Sequence, residues 1–282
     1  MNQPTLTEFA EDFWAAPDWH ESLRQLGLTT FDAVFSFRAG QSLTKPNLSA
    51  FRSRDRIPVP GRKALYLKRY CRPPLRHQIA GWLQWGRRVS CADLDRLPAE
   101  PLAQIGIQTP KIVAYGTRWG RLFEKQSFII TEEISGSSLE KHLPDCLTDL
   151  NPAHNPAPRR QFLNRLADWV AAFHSGNFCH RDLYLSHIFL TEDDRLVLID
   201  LHRTFRPRLF RHRWRLKDLT QLYYSAPGQW ISRTDRLRFY LRYVGRSKLT
   251  AADRRLVRKI KRKAWRIADR DIRRGRPVPF AQ

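Results

Sequence analysis

Acidic residues, glycine-rich phosphate motifs, paired cysteines and long apolar runs are all scarce in this chain. Its 282 residues carry 27 Asp and Glu against 50 Lys and Arg, a formal charge of +23. A chain this basic seeks an anionic partner: nucleic acid, acidic lipid, or a phosphorylated or carboxylated glycan. The cysteines number four (Cys71, Cys91, Cys146 and Cys179), with no CxxC spacing. That argues against a disulfide framework and a zinc knuckle, and for a reduced interior. No stretch approaches the roughly 18–20 apolar residues that a membrane span needs. The opening MNQPTLTEFAEDFW is acidic and polar, unlike a secretion signal. Neither GxGxxG nor GxxxxGK occurs, so neither glycine loop can be the phosphate cradle. Hydrophobic residues nevertheless make up 42%, with 16 Phe, 9 Trp and 8 Tyr. The chain can bury a substantial core in one large or two-lobed domain.

The positive charge is unevenly spread. Arg203 to Lys217 holds seven Lys or Arg and no acid, and Arg246 to Arg276 holds fourteen against three acids. Most are arginine, which suits planar contact with phosphate or carboxylate; a plain solvated face is the alternative. Residues 1–30 read as one or two short helices. FDAVFSFRAG and KALYLKRY read as strands, with Lys68 and Arg69 on opposite faces of the second. Residues 75–105 read as helical, interrupted at Pro98 and Pro101. SFIITEE reads as a strand, followed by a linker with Gly136. Residues 144–158 form a proline-bearing polar excursion. RRQFLNRLADWVAAFHSGN has an amphipathic helical pattern, and the chain after Arg203 reads as mostly helical, with a long basic helix near 251–272. Strands dominate the first half and helices the second, with a boundary set at 133/134.

The chemistry concentrates in HRDLYLSHIFLTEDDRLVLIDLHR, residues 180–203. A helix, then His180-Arg181-Asp182, then an IFL strand and a strand ending in Asp200 form an ordered set. Protein-kinase-like folds use such an order to bring a base and a metal carboxylate to one phosphoryl group. Asp182 is the candidate base, and Asp200 the candidate Mg²⁺ ligand, a hard oxygen donor suited to that ion. His187, five positions after Asp182, stands where such loops carry a metal-binding asparagine; it is a candidate metal or phosphate contact. Leu201 can take the buried place of the Phe that usually follows the metal aspartate, and the usual glycine is missing. Lys68 is the candidate holder of the ATP α- and β-phosphates, with either Asp95 or Glu100 as its acidic partner. Glu132 and Glu133 end the strand that leads into the hinge, where backbone would meet the adenine edge. The stretch SFRAGQSLTKPNLSAFRSRDR is the candidate phosphate-covering loop. Asp218 is expected to open a helix and bond back to the catalytic loop.

At HRDLYLSHIFL, LVLIDLHR and RWRLKDLTQLYYSA, supported by SFIITEE and GIQTPKIVAYG, the chain resembles the bacterial lipopolysaccharide core heptose kinases. The resemblance covers roughly residues 61 to 275. It implies an α+β, two-lobed protein-kinase-like fold, with residues 1–133 as the β-rich lobe and 134–282 as the helical one. It also implies transfer of the γ-phosphoryl group of ATP, with Mg²⁺, to a heptose hydroxyl of the inner core. Asp182, His187, Asp200 and Lys68 match the family's catalytic aspartate, its histidine, its metal aspartate and its strand lysine; its helix glutamate falls at Asp95. The implied place is the cytoplasmic face of the inner membrane, in peripheral contact with acidic lipid, and no nucleic acid is expected as partner. Other readings are a kinase for another glycan or for a protein, and a catalytically silent basic module binding nucleic acid or membrane. A silent module would bind its ligand equally well without Asp182 and Asp200.

Overall fold

The computed structural model describes residues 3–43, 49–143 and 157–279. The chain has the α+β, protein-kinase-like class expected, in two compact units. The first comprises Met1–Gln104, Gln108–Ile134 and Asp200–Thr204, and the second Ile105–Ile107, Ser135–Ile199 and Phe205–Gln282.

The first unit is built on a seven-stranded antiparallel sheet. Its strands are β1 (Thr7–Ala10), β2 (Phe13–Ala15), β3 (Gln41–Ser42), β4 (Arg52–Ile57), β5 (Leu65–Cys71), β6 (Ile112–Trp119) and β7 (Glu124–Glu132), in the order β1-β2-β6-β7-β5-β4-β3. Two readings of the sequence need correction. The first residues form the β1–β2 hairpin rather than helices alone: Asp12 takes the left-handed turn position at φ 59°, and Phe13 and Ala15 alternate into the core. FDAVFS is helix α2 (Phe31–Ser36) rather than a strand; α1 is His20–Gln25. Its aromatic content suggests a strand, but the Thr30 hydroxyl accepts the Ala33 N–H at 3.1 Å as an N-cap. Phe31, Val34 and Phe35 then share one helical face, and the Phe31 and Phe35 rings stack with centroids 5.0 Å apart.

Phe13, Phe31, Phe128, Leu65, Leu67 and Ile130 form the heart of this core. Each such buried side chain contributes about 1.5–3 kcal/mol. Arg69 points away from Lys68, as strand alternation requires. It donates to Asp55 and to the carbonyls of Val34 and Phe37, so it ties the end of α2 to the sheet. Three short helices replace the interrupted one: α3 (Leu75–Trp85), α4 (Cys91–Arg96) and α5 (Ala99–Ala103). Gly86, at φ 67°, stops α3, and a capping box of Ser90 and Asp93 starts α4. The candidate phosphate-covering stretch is the β3–β4 ribbon in its described part; its residues 44–48 lie outside the described residues.

The second unit holds a small antiparallel sheet of β8 (Gly136–Ser138), β9 (Ile188–Thr191) and β10 (Leu196–Leu198) and four long helices. These are α6 (Ala157–Ser175), α7 (Arg211–Ser225), α8 (Arg233–Val244) and α9 (Ala251–Ile272), with α6 against α8 and α7 against α9. Gly136 belongs to a strand rather than a linker. Its φ is 142°, and a Cβ there would stand 2.1 Å from the Leu190 carbonyl oxygen, so only glycine fits. The buried stripe of α6 is Leu163, Leu166, Ala167, Val170 and Phe173, with Asn177 at φ 63° closing the turn beyond it. Of the proline-bearing excursion (residues 144–158), residues 144–156, Cys146 among them, lie outside the described residues, and the last two open α6. Among the described residues no helix is long and apolar enough to cross a membrane.

Candidate active site

In the first unit, the alternation of β5 sends Lys68 and Tyr70 to one face. Asp95, on α4, meets both. Lys68 Nζ is 2.9 Å from Asp95 Oδ1, and the Tyr70 hydroxyl donates to Asp95 Oδ2 at 2.6 Å. Lys68 Nζ also lies 3.6 Å from Asp200 Oδ1. One ammonium thus stands before two carboxylates of unequal exposure: Asp95 is 5% exposed and Asp200 39%. Burial opposes the charge on Asp95, yet the Lys68 ammonium, the His202 ring and the Tyr70 hydroxyl bond together outweigh it and hold the carboxyl below its ordinary range. Burial and the Asp95 charge push the Tyr70 hydroxyl well above its ordinary value, so the shared proton stays on tyrosine. Glu100, the other acid considered for Lys68, is exposed on α5, so the partner is Asp95.

Asp200 sits in left-handed backbone at φ 57°, ψ 56°, a region that aspartate tolerates better than most residues. The turn after it buries Leu201, as expected, and also His202. The His202 ring stacks on Tyr70, with centroids 6.0 Å apart, and its Nε2 accepts from Arg52 Nη2 at 2.6 Å. Burial lowers the His202 pKa to about 4, so the ring is neutral at pH 7 and able to accept that bond. Tyr70, Arg52 and His202 were not singled out from sequence. The available signal was Tyr70, two residues after Lys68 on the same strand face.

Glu132 and Glu133 fall at the end of β7 and just past it. The Glu132 N–H donates to the Lys111 carbonyl at 2.9 Å and the Glu133 N–H to the Ala64 carbonyl at 2.8 Å. An adenine edge seeking a donor would therefore not find one at these two amides. Their side chains hold basic neighbours: Glu132 pairs with Lys63 at 3.5 Å, and Glu133 takes Arg56 at 2.7 and 2.8 Å.

In the second unit, α7 organises the His180-Arg181-Asp182 loop. Asp218, Gln221 and Ser225 follow one another at helical spacing, i, i+3, i+7, and present acceptors to the loop amides. Asp218, fully buried, accepts the His180 N–H and the Arg181 N–H, both at 2.8 Å. Gln221 Oε1 accepts the Leu183 N–H at 3.2 Å, and the Ser225 hydroxyl accepts the Leu185 N–H at 3.0 Å. This scaffold holds Arg181 at φ 67°. Asp182 is then gripped from the helix: Gln221 Nε2 donates to its Oδ1 at 3.1 Å, and Lys217 Nζ lies 3.9 Å away. Asp218 supports the loop as expected, but in the second turn of α7 rather than at its opening. Lys217, Gln221 and Ser225 were missed, although their spacing with Asp218 is visible in RWRLKDLTQLYYSA.

His187 Nδ1 is 2.7 Å from the Asp182 carbonyl oxygen. A carbonyl only accepts, so Nδ1 carries the hydrogen and Nε2 is the basic nitrogen of the neutral ring. By chemistry the carboxylate of Asp200 fits Mg²⁺ better than this imidazole does. A second gathering, His174, Cys179 and Asp218, brings its ligand atoms within 4.8 Å of one another. Both Asp218 oxygens hold loop amides, and burial pushes the Cys179 thiol up to about 12, so this group serves the loop rather than an ion.

The model of the lipopolysaccharide kinase (Kdo/WaaP) family matches residues 65–243, a span that contains Lys68, Asp95, Asp182, His187, Asp200 and Asp218. The chain belongs to this family. Curated relatives agree. The lipopolysaccharide core heptose(I) kinase WaaP of Pseudomonas aeruginosa is 32% identical over 216 residues, covering 71% of this chain and 80% of the relative. The protein of the same name from Escherichia coli K12 is 30% identical over 223 residues, covering 76% and 83%. A solved structure, WaaP in complex with acyl carrier protein, superposes with a TM-score of 0.64 at 27% identity, over 86% of this chain and 95% of the other. This lipopolysaccharide kinase is therefore an ATP-dependent sugar kinase.

Asp218→Ala in this kinase leaves two loop N–H groups without their acceptor in a fully buried place. The expected cost is about 3 kcal/mol of stability. Chemical denaturation of the variant beside the wild type measures it; an unchanged midpoint would mean that the loop does not depend on this carboxylate.

Proposed function

We propose that this kinase transfers the γ-phosphoryl group of ATP to a heptose hydroxyl of the lipopolysaccharide inner core. The observation that carries the reading is Lys68 standing before Asp95 and Asp200 inside the stretch matched by the family. Lys68, oriented by buried Asp95, holds the α- and β-phosphates. Asp200, the more exposed carboxylate, holds Mg²⁺; when bound, the ion neutralises charge on the phosphate oxygens. Asp182 orients the acceptor hydroxyl and takes its proton as the new O–P bond forms. Positioning is the larger part of that task when the transition state is loose. Gln221 and Lys217 keep the Asp182 carboxylate aimed. His187 fixes the loop through Nδ1, which leaves its basic Nε2 available to a metal ion.

The acceptor is an anionic glycolipid, and the enzyme works on the cytoplasmic face of the inner membrane. The outer side of α9, with Arg255, Arg258, Lys259, Arg262 and Arg266 exposed beside Trp265, suits peripheral contact with acidic lipid. A protein partner is also proposed, because one solved relative is a complex with acyl carrier protein. The helical unit of this chain contains an apolar cavity of about 360 Å³, lined by Leu163, Leu166, Leu222, Phe239 and Ile260 and edged by Arg236. Its walls suit an acyl chain.

The test is ADP release with a panel of acceptors. A core saccharide that ends in unphosphorylated heptose should support turnover, and one trimmed back to its Kdo residues should not. Equal turnover on both would assign the enzyme to another sugar.

A further inference from the structure

The segment that enters α7 exposes two bulky apolar side chains in a collar of arginine. Leu209 is 72% exposed and Phe210 is 74% exposed. Arg206, Arg208, Arg211 and Arg213 flank them, all exposed, and no acid occurs between Asp200 and Asp218. Phe210 also sits in left-handed backbone at φ 54°, ψ 36°. That conformation is an outlier for a bulky residue. The surrounding chain fixes it. Phe205 and Cys179 exchange both backbone hydrogen bonds, at 2.9 and 3.0 Å, and the Phe210 carbonyl accepts the Arg213 N–H at 2.9 Å. The result is a short finger with a rigid base and an apolar tip.

We propose that this finger is a membrane-docking element, with Leu209 and Phe210 entering the acyl region of an anionic bilayer and the arginines on headgroup phosphates. Two observations select that occupant. The tip is apolar while its whole rim is cationic, a pairing that matches hydrocarbon beneath a layer of phosphate. The base is fastened to Cys179, three residues ahead of Asp182, and the finger continues into the helix whose Lys217 and Gln221 reach that carboxylate. Docking of the tip therefore fixes the height of the catalytic loop above the lipid, where a lipid-anchored sugar presents its hydroxyls. This inference rests on the reading that the acceptor is a glycolipid.

The test uses the full chain with two kinds of vesicle, pure phosphatidylcholine and phosphatidylcholine with about a third phosphatidylglycerol. The wild type should sediment with the anionic vesicles. L209S/F210S should bind them at least about tenfold more weakly. F210G is the second variant: glycine takes the left-handed conformation without strain, so its Tm should not fall while its vesicle binding does. Rates supply a second readout. Both variants should lose activity on acceptor embedded in vesicles and keep it on the delipidated core saccharide. Unchanged vesicle binding, or equal loss on both acceptors, overturns the proposal. So does a loss of binding to acyl carrier protein with vesicle binding intact, which would assign the finger to that protein. Vesicle binding needs neither ATP nor acceptor. A wild type that docks on lipid but phosphorylates no core sugar would sink the functional reading and leave the finger standing.

Discussion

Asp182→Asn is expected to lower kcat by about a thousandfold or more while nucleotide affinity stays near that of the wild type. The expectation follows from what the side chain does and does not hold. A positioned base contributes about 10²–10⁴ in rate, and alignment of the hydroxyl adds to that. Asparagine keeps an oxygen for the Gln221 amide, and the bond from His187 goes to the residue 182 carbonyl, which the change does not touch. The loop amides remain on Asp218, Gln221 and Ser225. Fold and nucleotide binding should therefore survive a loss that falls on the chemical step. Steady-state kinetics beside calorimetric titration with ATP separates the two; normal turnover in this variant removes Asp182 from the mechanism.

Asp200→Asn should abolish transfer by a different route. The carboxylate is the more exposed of the two acids before Lys68, and asparagine is a much poorer ligand for Mg²⁺. Asparagine tolerates the left-handed backbone at this position, so the turn that buries Leu201 and His202 should hold. The Lys68–Asp95 pair also remains. The expected signature is a loss of at least about a thousandfold in kcat, together with loss of the Mg²⁺ dependence of ATP binding. Binding of nucleotide in the absence of metal should change little. A variant whose ATP affinity still rises with added Mg²⁺, as in the wild type, would place the metal elsewhere.

The two variants are expected to fail for separate reasons, since the residues belong to separate compact units. Asp182 is supported from α7, whereas Asp200 shares a network with β5 and α4. The chain crosses from one unit to the other at the bond between Ile199 and Asp200. Ile199 still belongs to the loop: its N–H donates to the His187 carbonyl at 3.0 Å, and its carbonyl accepts from His180 Nε2 at 3.1 Å.

Much of this was legible in the sequence where spacing carries the information. Strand alternation put Lys68 and Arg69 on opposite faces, and the structure gives them different partners, Asp95 and Asp55. The order of helix, HRD loop and two short strands also stood in the chain as written. What did not show was pairing across long separations. Arg52 and His202 lie 150 residues apart in sequence, and no local pattern announces their contact. Asp95 and Glu100 could not be separated, because Pro98 splits their surroundings into two short helices. The Ser90–Asp93 cap then turns Asp95 inward, while Glu100 stays exposed. FDAVFS misled because its aromatic residues favour strands, whereas the cap at Thr30 and the inward set of Phe31 and Val34 select a helix. Gln221 and Ser225 were readable in principle from their spacing with Asp218. Both are polar residues on a polar stretch, and only their burial shows the purpose.

The most direct test of the whole account is the destination of the phosphate. ATP labelled in its γ-phosphoryl group, Mg²⁺ and a core saccharide stripped of phosphate are incubated with the kinase, and the new ester is located by phosphorus–proton correlation NMR. The account predicts one labelled phosphate on a heptose hydroxyl, with none formed by the Asp182→Asn or Asp200→Asn variants. Label confined to Kdo, to protein or to inorganic phosphate would contradict it.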